Sequence, residues 1–376
     1  MWKWGLFACL TLASVTAGAA CAGPFADDRD VDVGVWEYFI RDADPAVAQR
    51  KMVDTTAAGF EAAITNSFWE PGRTDPSPQE VIELRNAAAA AEAAEVRPLL
   101  IVQNPGSRTT PNTPELRSEF TAYAASLARQ LPEYRDYIIG NEPNLNRFWL
   151  PQFGPDGENV AARDYLALLE ESYDALKQVS DEIRVIGGAL APRGGDDPDA
   201  ERHTHSPTAF IRDMGRLYRE SGRDRPVMDA FAHHPYLERS ELPPEFAHPN
   251  TTTISLADYD KLVDLLGEAF DGTAQEGSEI PILYTEFGVQ TVIPPEKRDV
   301  YTNHESPAAA DAVPEPTQAE YYRRALELVC EQETVEGLYI FHVWDEPDLA
   351  GWQSGLYYAD QTPKSSRGVF TDLPSC

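Results

Sequence analysis

The stretch from residue 137 to residue 144 reads Tyr-Ile-Ile-Gly-Asn-Glu-Pro-Asn, an apolar run that stops at a polar turn. Residues 282–288, Ile-Leu-Tyr-Thr-Glu-Phe-Gly, repeat this pattern of an apolar run followed by a glutamate. Nearly continuous apolar runs of this length are typical of parallel strands that are covered by helices on both faces. Each run therefore predicts a buried strand with a charged side chain at its carboxyl end.

On either side of these two runs, short β-branched or aromatic segments alternate with longer helical patterns, from near residue 31 to the C-terminus. Repeated strand and helix units are the signature of an α/β fold. We predict eight strands, over Asp32–Tyr38, Phe60–Ser67, Arg97–Gln103, Tyr137–Glu142, Arg184–Leu190, Met228–His234, Ile282–Glu286 and Gly337–Trp344. Helical patterns between them cover Pro78–Glu95, Thr113–Gln130, Val160–Ser180, Leu256–Phe270 and Gln318–Glu333.

The segments that follow strands are long and rich in proline and glycine, whereas those that precede strands are short. A (β/α)8 barrel assembles its active site from the loops that follow its strands. The alternative is an open doubly wound sheet, but no glycine-rich phosphate loop follows the first strand. The sequence therefore predicts a (β/α)8 TIM barrel that forms a single domain over residues 23–376, with long strand-to-helix loops.

The first 22 residues carry one early lysine and a short apolar run that ends in small residues, which predicts a secretory signal peptide. Cleavage after Ala22 would leave Cys330 and Cys376 as an even pair that could form a disulfide. Cleavage before Cys21 would make that cysteine the N-terminus, and Gly18-Ala19-Ala20-Cys21 resembles a bacterial lipobox without its usual leucine. We expect a secreted protein, extracellular or periplasmic, with a surface lipoprotein anchored at Cys21 as the alternative.

The formal net charge is -31, from 62 acidic and 31 basic residues. Such a charge repels nucleic acids and anionic membranes, so neither is an expected partner. No segment after the signal peptide is long and apolar enough to span a bilayer. We expect a monomer that acts on a neutral substrate such as a carbohydrate.

Glu142 and Glu286 each end an apolar strand, where a charge buried inside the barrel would be costly. Both are better explained by a position in the barrel mouth. Cleavage of a glycosidic bond needs one carboxylic acid to protonate the leaving oxygen and one carboxylate to attack or stabilise the anomeric carbon. The pair therefore suggests glycoside hydrolysis, a reaction for which we expect neither a metal nor a cofactor.

Asn141-Glu142-Pro143 after the fourth strand, together with Glu286 after the seventh, resembles clan A of the glycoside hydrolases, the cellulase-like superfamily. The resemblance covers the whole chain after the signal peptide. It implies a retaining glycosidase with Glu142 as general acid/base and Glu286 as nucleophile. It also implies that Asn141 hydrogen-bonds the 2-hydroxyl of the sugar, and that repulsion between the carboxylates keeps Glu142 protonated while Glu286 is ionised.

His234-Pro235-Tyr236 after the sixth strand resembles the pattern of family 5, in which the histidine lines the sugar subsite and the tyrosine contacts the nucleophile. Trp344, at the end of the eighth predicted strand, matches a tryptophan that stacks under the sugar in that clan. One departure is that Asn66 and Ser67 stand where family 5 has an arginine near the end of strand two. The chain is therefore similar to family 5 or family 39, and the sequence does not decide between them.

Tryptophans near other strand ends, Trp36, Trp69 and Trp149, are expected to offer flat apolar faces to sugar rings. The alternative function is a catalytically silent carbohydrate-binding barrel that is exported to the cell surface. The sugar, the linkage and the choice between endo and exo cleavage depend on the shapes of the loops, so the sequence leaves them open.

Overall fold

Eight parallel strands close into a barrel in chain order, and β8 pairs with β1 to complete it. The strands are β1 (Asp32–Trp36), β2 (Ala62–Phe68), β3 (Arg97–Gln103), β4 (Asp136–Ile139), β5 (Arg184–Leu190), β6 (Ala230–His233), β7 (Ile282–Phe287) and β8 (Val335–Phe341). The closed, all-parallel barrel confirms the predicted (β/α)8 fold. The structure is a computed structural model that describes residues 31–306, 309–371 and 376.

Helices surround the barrel, and several begin where the sequence offers a capping residue. They are α1 (Pro45–Ala57), α2 (Pro78–Ala93), α3 (Pro114–Gln130), α4 (Val160–Val179), α5 (Pro207–Ser221), α6 (Tyr259–Phe270), α7 (Glu315–Cys330) and α8 (Arg367–Thr371). Short 3-10 helices cover Tyr38–Ile40, Ser107–Thr109, Leu256–Asp258 and Pro295–Val300. The Ser77 hydroxyl accepts a hydrogen bond from Glu80 N (3.2 Å) and the Thr113 hydroxyl accepts one from Leu116 N (3.3 Å), as N-cap residues do.

Alternate side chains of each strand divide into two hydrophobic clusters. Those that point outward pack beneath the helices, as Leu100 and Val102 of β3 do. Those that point inward fill the barrel, and they are Trp36, Ala62, Ile64, Leu99, Ile101, Ile138, Ile186, Ala189, Ala230, Ala232, Leu283 and Tyr339. This period of two is the normal alternation of a strand, and it fixes which residues can reach the mouth of the barrel.

The amino ends of the strands are closed by a large ring and by ion pairs. Tyr339 of β8 lies across the barrel against Gly34 of β1, where an added Cβ would come within 2.4 Å of the ring. Its hydroxyl accepts a hydrogen bond from Arg97 (3.1 Å), which also forms an ion pair with Asp32. Gly34 is therefore required by the close approach of the ring, and this end of the barrel is filled.

Two features concern the ends of the chain. Cys330 and Cys376 form a disulfide, which resolves the pairing that the sequence left open. The predicted signal peptide over residues 1–22, and Cys21 with its expected lipid anchor, lie outside the described residues. Within the described part of the chain, no helix has the length and apolarity needed to cross a membrane.

Candidate active site

The two glutamates meet at the carboxyl end of the barrel. The strand β4 ends at Ile139 because the chain then turns through Gly140, which has a φ of +78°. Glu142 has a φ of +40°, in the left-handed region that side chains rarely adopt, and such strain is often found at functional sites. Glu286 lies within β7, and its side chain is 11% exposed. A carboxylate oxygen of each, with a ring nitrogen of His234, forms a group whose atoms lie within 4.8 Å of one another.

His234 links the two carboxylates. Its Nδ1 lies 3.1 Å from Glu142 Oε1 and 3.6 Å from Glu286 Oε2. Burial lowers the pKa of His234, but the charges of Glu286 and Glu142 raise it more, so that the net shift is upward. The imidazole is therefore held in its cationic form between two acids more readily than an isolated histidine would be.

Tyr236, two residues after His234, contacts the same carboxylate of Glu286. Its hydroxyl donates a hydrogen bond to Glu286 Oε2 (3.2 Å). Burial raises the pKa of Glu286 to about 7, His234 lowers it, the charge of Glu142 raises it, and the Tyr236 hydrogen bond lowers it. The main cause of the upward shift is the deep burial of the Glu286 side chain, and the expectation that Glu142 carries the proton stays a prediction.

Unpartnered polar atoms surround the pair. Asn141 Oδ1 and His234 Nε2 are sealed from solvent, and neither has a hydrogen-bond partner among the described residues. The indole nitrogen of Trp36, at the end of β1, is also sealed from solvent without a hydrogen-bond partner among the described residues. Unpartnered atoms of this kind also occur in the outer core, for example at Tyr137 and Trp149, so it is the position of Asn141 and His234 beside the two carboxylates that makes them candidate ligand contacts.

Trp36 is the predicted tryptophan that the structure places in the barrel interior. It is 7% exposed and packs against Tyr38 (ring centroids 5.7 Å apart) and Phe341 (5.2 Å). Phe341 in turn contacts Trp352 (5.8 Å), which lies 5.1 Å from Tyr236. These rings form a continuous aromatic wall that connects the end of β1 with the residues around Glu286.

The other predicted tryptophans lie elsewhere. Trp69 and Trp149 belong to the outer hydrophobic core, where they are 0% and 1% exposed and pack against Phe120 and Tyr165. The prediction that they face a sugar is wrong, because an indole without exposed surface has no face to offer. Trp344 is half-buried and packs against the same outer core rather than the barrel interior, since β8 ends at Phe341.

Several residues of the mouth were not predicted from the sequence. Asn66 and Gln103 follow Ile64 and Ile101 by two positions, so they lie on the inward face of β2 and β3. The period of two was the signal that could have identified them. Trp352 gave no such signal, because it lies in a loop without regular structure and only the tertiary fold brings it beside Tyr236.

Glu142, His234 and Glu286 also form a possible set of metal ligands, the one such cluster found in the part of the chain that the structure describes. Their ligand atoms are already engaged with one another, since His234 Nδ1 lies within hydrogen-bonding distance of Glu142 Oε1. Catalytic zinc sites also have three protein ligands, so the contact between His234 Nδ1 and Glu142 Oε1 is what favours a pair of acids without a metal. The arrangement is better suited to exchanging protons among two acids and an imidazole.

Comparisons with known proteins agree with the fold. No protein-family model matches the chain, and no curated protein matches it either. Among solved structures, GH5_18 from Streptomyces cattleya in complex with GlcNAc is similar with a TM-score of 0.59 and 17% identity, over 91% of this chain and 79% of that one. The GH39 enzyme from Xanthomonas axonopodis pv. citri is similar with a TM-score of 0.58 and 16% identity, over 92% of this chain.

A third similar structure is the β-glucuronidase of Bacteroides uniformis, with a TM-score of 0.54 and 14% identity over 90% of this chain. The chain spans 66% of the GH39 enzyme and 34% of the β-glucuronidase. At these identities the likeness shows the barrel fold, which this chain shares with several glycosidases.

Proposed function

We propose that this protein is a retaining glycoside hydrolase that cleaves O-glycosidic bonds of an oligosaccharide or polysaccharide. The observation that carries the proposal is the pair of carboxylates from the ends of β4 and β7, with oxygens within 4.8 Å of each other. Retaining glycosidases hold their carboxyl groups ~5 to 5.5 Å apart, whereas inverting enzymes need ~6.5 to 9.5 Å to admit a water. The spacing therefore favours a covalent intermediate.

In the first step, Glu142 donates its proton to the glycosidic oxygen while Glu286 attacks the anomeric carbon. The bond to the leaving group breaks, and a glycosyl ester forms on Glu286. In the second step, the Glu142 carboxylate removes a proton from water, which attacks the same carbon and releases Glu286. Two inversions restore the original anomeric configuration.

His234 contacts both acids and Tyr236 contacts Glu286, so both residues support these two steps. The positive charge on His234 and the hydroxyl of Tyr236 each stabilise ionised Glu286, which is the form that attacks. Asn141 Nδ2, which has no partner among the described residues and is not sealed from solvent, can donate a hydrogen bond to a sugar hydroxyl beside Glu142. The aromatic wall of Trp36, Phe341 and Trp352 provides apolar surface for the C–H face of the ring.

Replacement of the proposed nucleophile tests this function directly. The Glu286→Ala variant should lose turnover of a 4-nitrophenyl glycoside by at least about 10³-fold, since no covalent intermediate can form. Added azide should restore part of the activity by attacking in place of the carboxylate, and the glycosyl azide should have the opposite anomeric configuration. Release of nitrophenol and the configuration of the product by NMR are the measurements.

Glu279→Ala is the matched control, since Glu279 is an exposed glutamate that precedes β7. It should retain the activity of the wild type. Full turnover by Glu286→Ala would refute the assigned nucleophile. An absence of product from the wild type over a broad panel of aryl glycosides and polysaccharides would favour a silent carbohydrate-binding barrel instead.

A further inference from the structure

Two amide side chains face the barrel mouth from the strands next to Glu142. Asn66 of β2 and Gln103 of β3 lie at the carboxyl ends of their strands, on the same inward face as Ile64 and Ile101. They are 4% and 5% exposed, so little of either residue is in contact with bulk solvent. The two strands are hydrogen-bonded neighbours, and β3 also pairs with β4, which leads to Glu142.

Neither amide group makes a hydrogen bond with another residue over 31–306, 309–371 and 376. The contacts of Asn66 and Gln103 with other polar groups use their backbone oxygens, which accept from Arg41 and from Trp69 N respectively. A primary amide offers two donors and one strong acceptor, and no amide atom of Asn66 or Gln103 is among the unpartnered atoms that are sealed from solvent, so both groups open on the barrel mouth. Two neighbouring residues in this state indicate that their partner is a molecule that enters the barrel mouth.

A nearby amide shows the contrast. Asn144, two residues after Glu142, is fully buried, and its Nδ2 donates to the carbonyl oxygens of Ala191 (3.2 Å) and His205 (3.0 Å). Its Oδ1 accepts from Ala191 N (2.9 Å). Asn144 therefore holds the loop after β4 in place, whereas Asn66 and Gln103 hold no part of the protein in place.

We propose that Asn66 and Gln103 bind the sugar unit at the cleavage point through its hydroxyl groups, and that they select an uncharged sugar over a uronic acid. This inference rests on the proposed glycosidase function. A hydroxyl both donates and accepts, and therefore satisfies the donor and the acceptor of an amide, whereas a carboxylate only accepts. A carboxylate on the ring would also be repelled by Glu142 and Glu286, whose carboxylate oxygens lie within 4.8 Å of each other.

Thermal stability separates a binding role from a structural one. Asn66→Leu and Gln103→Met remove the polar atoms and keep a similar shape, so Tm should stay the same or rise, because no protein group loses a hydrogen-bond partner. Asn144→Leu is the control, and its Tm should fall, because three backbone groups lose their partners. A fall in Tm for Asn66→Leu and Gln103→Met equal to that of Asn144→Leu would overturn the proposal.

Kinetics then measure the binding role. On the neutral 4-nitrophenyl β-glycoside that the wild type cleaves fastest, each variant should lose about 3- to 10-fold in kcat/KM, as expected for one hydrogen bond. The wild type should cleave 4-nitrophenyl β-D-glucuronide more slowly than the β-D-glucoside or the β-D-mannoside. Unchanged kcat/KM in both variants, or a wild type that prefers the glucuronide, would overturn the proposal.

Binding without turnover distinguishes this proposal from the proposed function. In a Glu286→Gln background, calorimetry with the same glycosides should show weaker binding when Asn66→Leu or Gln103→Met is added. If the added substitutions left binding unchanged, the amide proposal would be overturned. The loss of turnover in Glu286→Ala would still support the proposed function. Conversely, retained turnover in Glu286→Ala would refute the nucleophile, and weakened binding would still support the amide pair.

Discussion

The hydroxyl group of Tyr236 bears directly on the ionisation of Glu286, the carboxyl group proposed to attack. A nucleophile acts only when it is ionised, so kcat/KM should fall on the acid side as pH drops through the Glu286 pKa of about 7. Tyr236→Phe removes a hydrogen bond that lowers this pKa. The acid limb of the profile should therefore move to higher pH, by about one unit for a bond of typical strength to a charged group.

The measurement is kcat/KM for an aryl glycoside from pH 5 to pH 9, and its control is Tyr284→Phe. Tyr284 lies on β7 near Glu286 but belongs to the outer core, so its hydroxyl is remote from the carboxylates. That variant should leave the acid limb in place. A Tyr236→Phe profile that differs only in height, with the same acid limb, would show that the hydroxyl does not influence ionisation.

Among the secondary structure elements, the sequence predicted the strands well and their last residues poorly. The bounds of β3 and β5 were predicted correctly, because each strand is an apolar run that begins at an arginine. The predicted fourth strand ran on to Glu142 and the eighth to Trp344, whereas the structure ends them at Ile139 and Phe341. An apolar or glycine-containing run does not reveal where the chain turns.

The excess of three residues at each of these strands changes which side chains are assigned to the candidate site. Since β8 stops at Phe341, that ring, and not Trp344, faces the barrel interior. The paired glutamates and the histidine were accessible to sequence reasoning, because each lies within three residues of the end of an apolar strand. Trp69 and Trp149 were misplaced, since the sequence does not show on which side of a loop an indole packs.

The seam between β1 and β8 depends on a buried acid that follows β1. Glu37 Oε1 accepts from Phe39 N (3.0 Å) and Oε2 accepts from Val343 N (3.1 Å). Burial raises the pKa of Glu37 from 4.5 to about 8, against the lowering effect of these hydrogen bonds. An acid whose pKa is raised by folding makes a contribution to the free energy of unfolding that is complete below pH 4.5. This contribution is lost as pH rises through 8.

Glu37→Gln stays neutral at every pH, so the free energy of unfolding of the wild type should fall relative to this variant as pH rises. The fall should be on the order of 4 kcal/mol between pH 4.5 and pH 9. Urea unfolding at three pH values measures it, and exposed Glu279→Gln should show no such trend. A difference between wild type and Glu37→Gln that is constant with pH would contradict the expected burial of a neutral acid.

For the molecule as a whole, the two ends of the barrel have different roles. The amino end is closed by Tyr339 and by ion pairs such as that of Arg184 with Glu336 (2.5 Å). The carboxyl end leaves polar groups of Asn141 and His234 without partners. In this fold, residues at the amino end of the barrel usually contribute to stability, whereas residues at the carboxyl end carry out the chemistry.

The disulfide lies at the amino end of the barrel. Cys330 ends α7 and shortly precedes β8, so the bond to Cys376 lies on the side of the barrel from which β8 starts, away from Glu142 and Glu286. It closes a loop with a sequence separation of 46 residues, which includes β8 and α8. Cross-linking a loop of this length stabilises a protein mainly by restricting its unfolded chain, by about 2 to 4 kcal/mol.

Replacement of both cysteines by serine should therefore lower the free energy of unfolding by about 2 to 4 kcal/mol and lower Tm, with kcat on an aryl glycoside unchanged at 25 °C. The wild type treated with a thiol reductant should unfold at the temperature of the double variant, and the reductant should not affect that variant further. A loss of kcat with an unchanged Tm would contradict this division, because it would show that the bond shapes the carboxyl end of the barrel rather than restricting the unfolded chain.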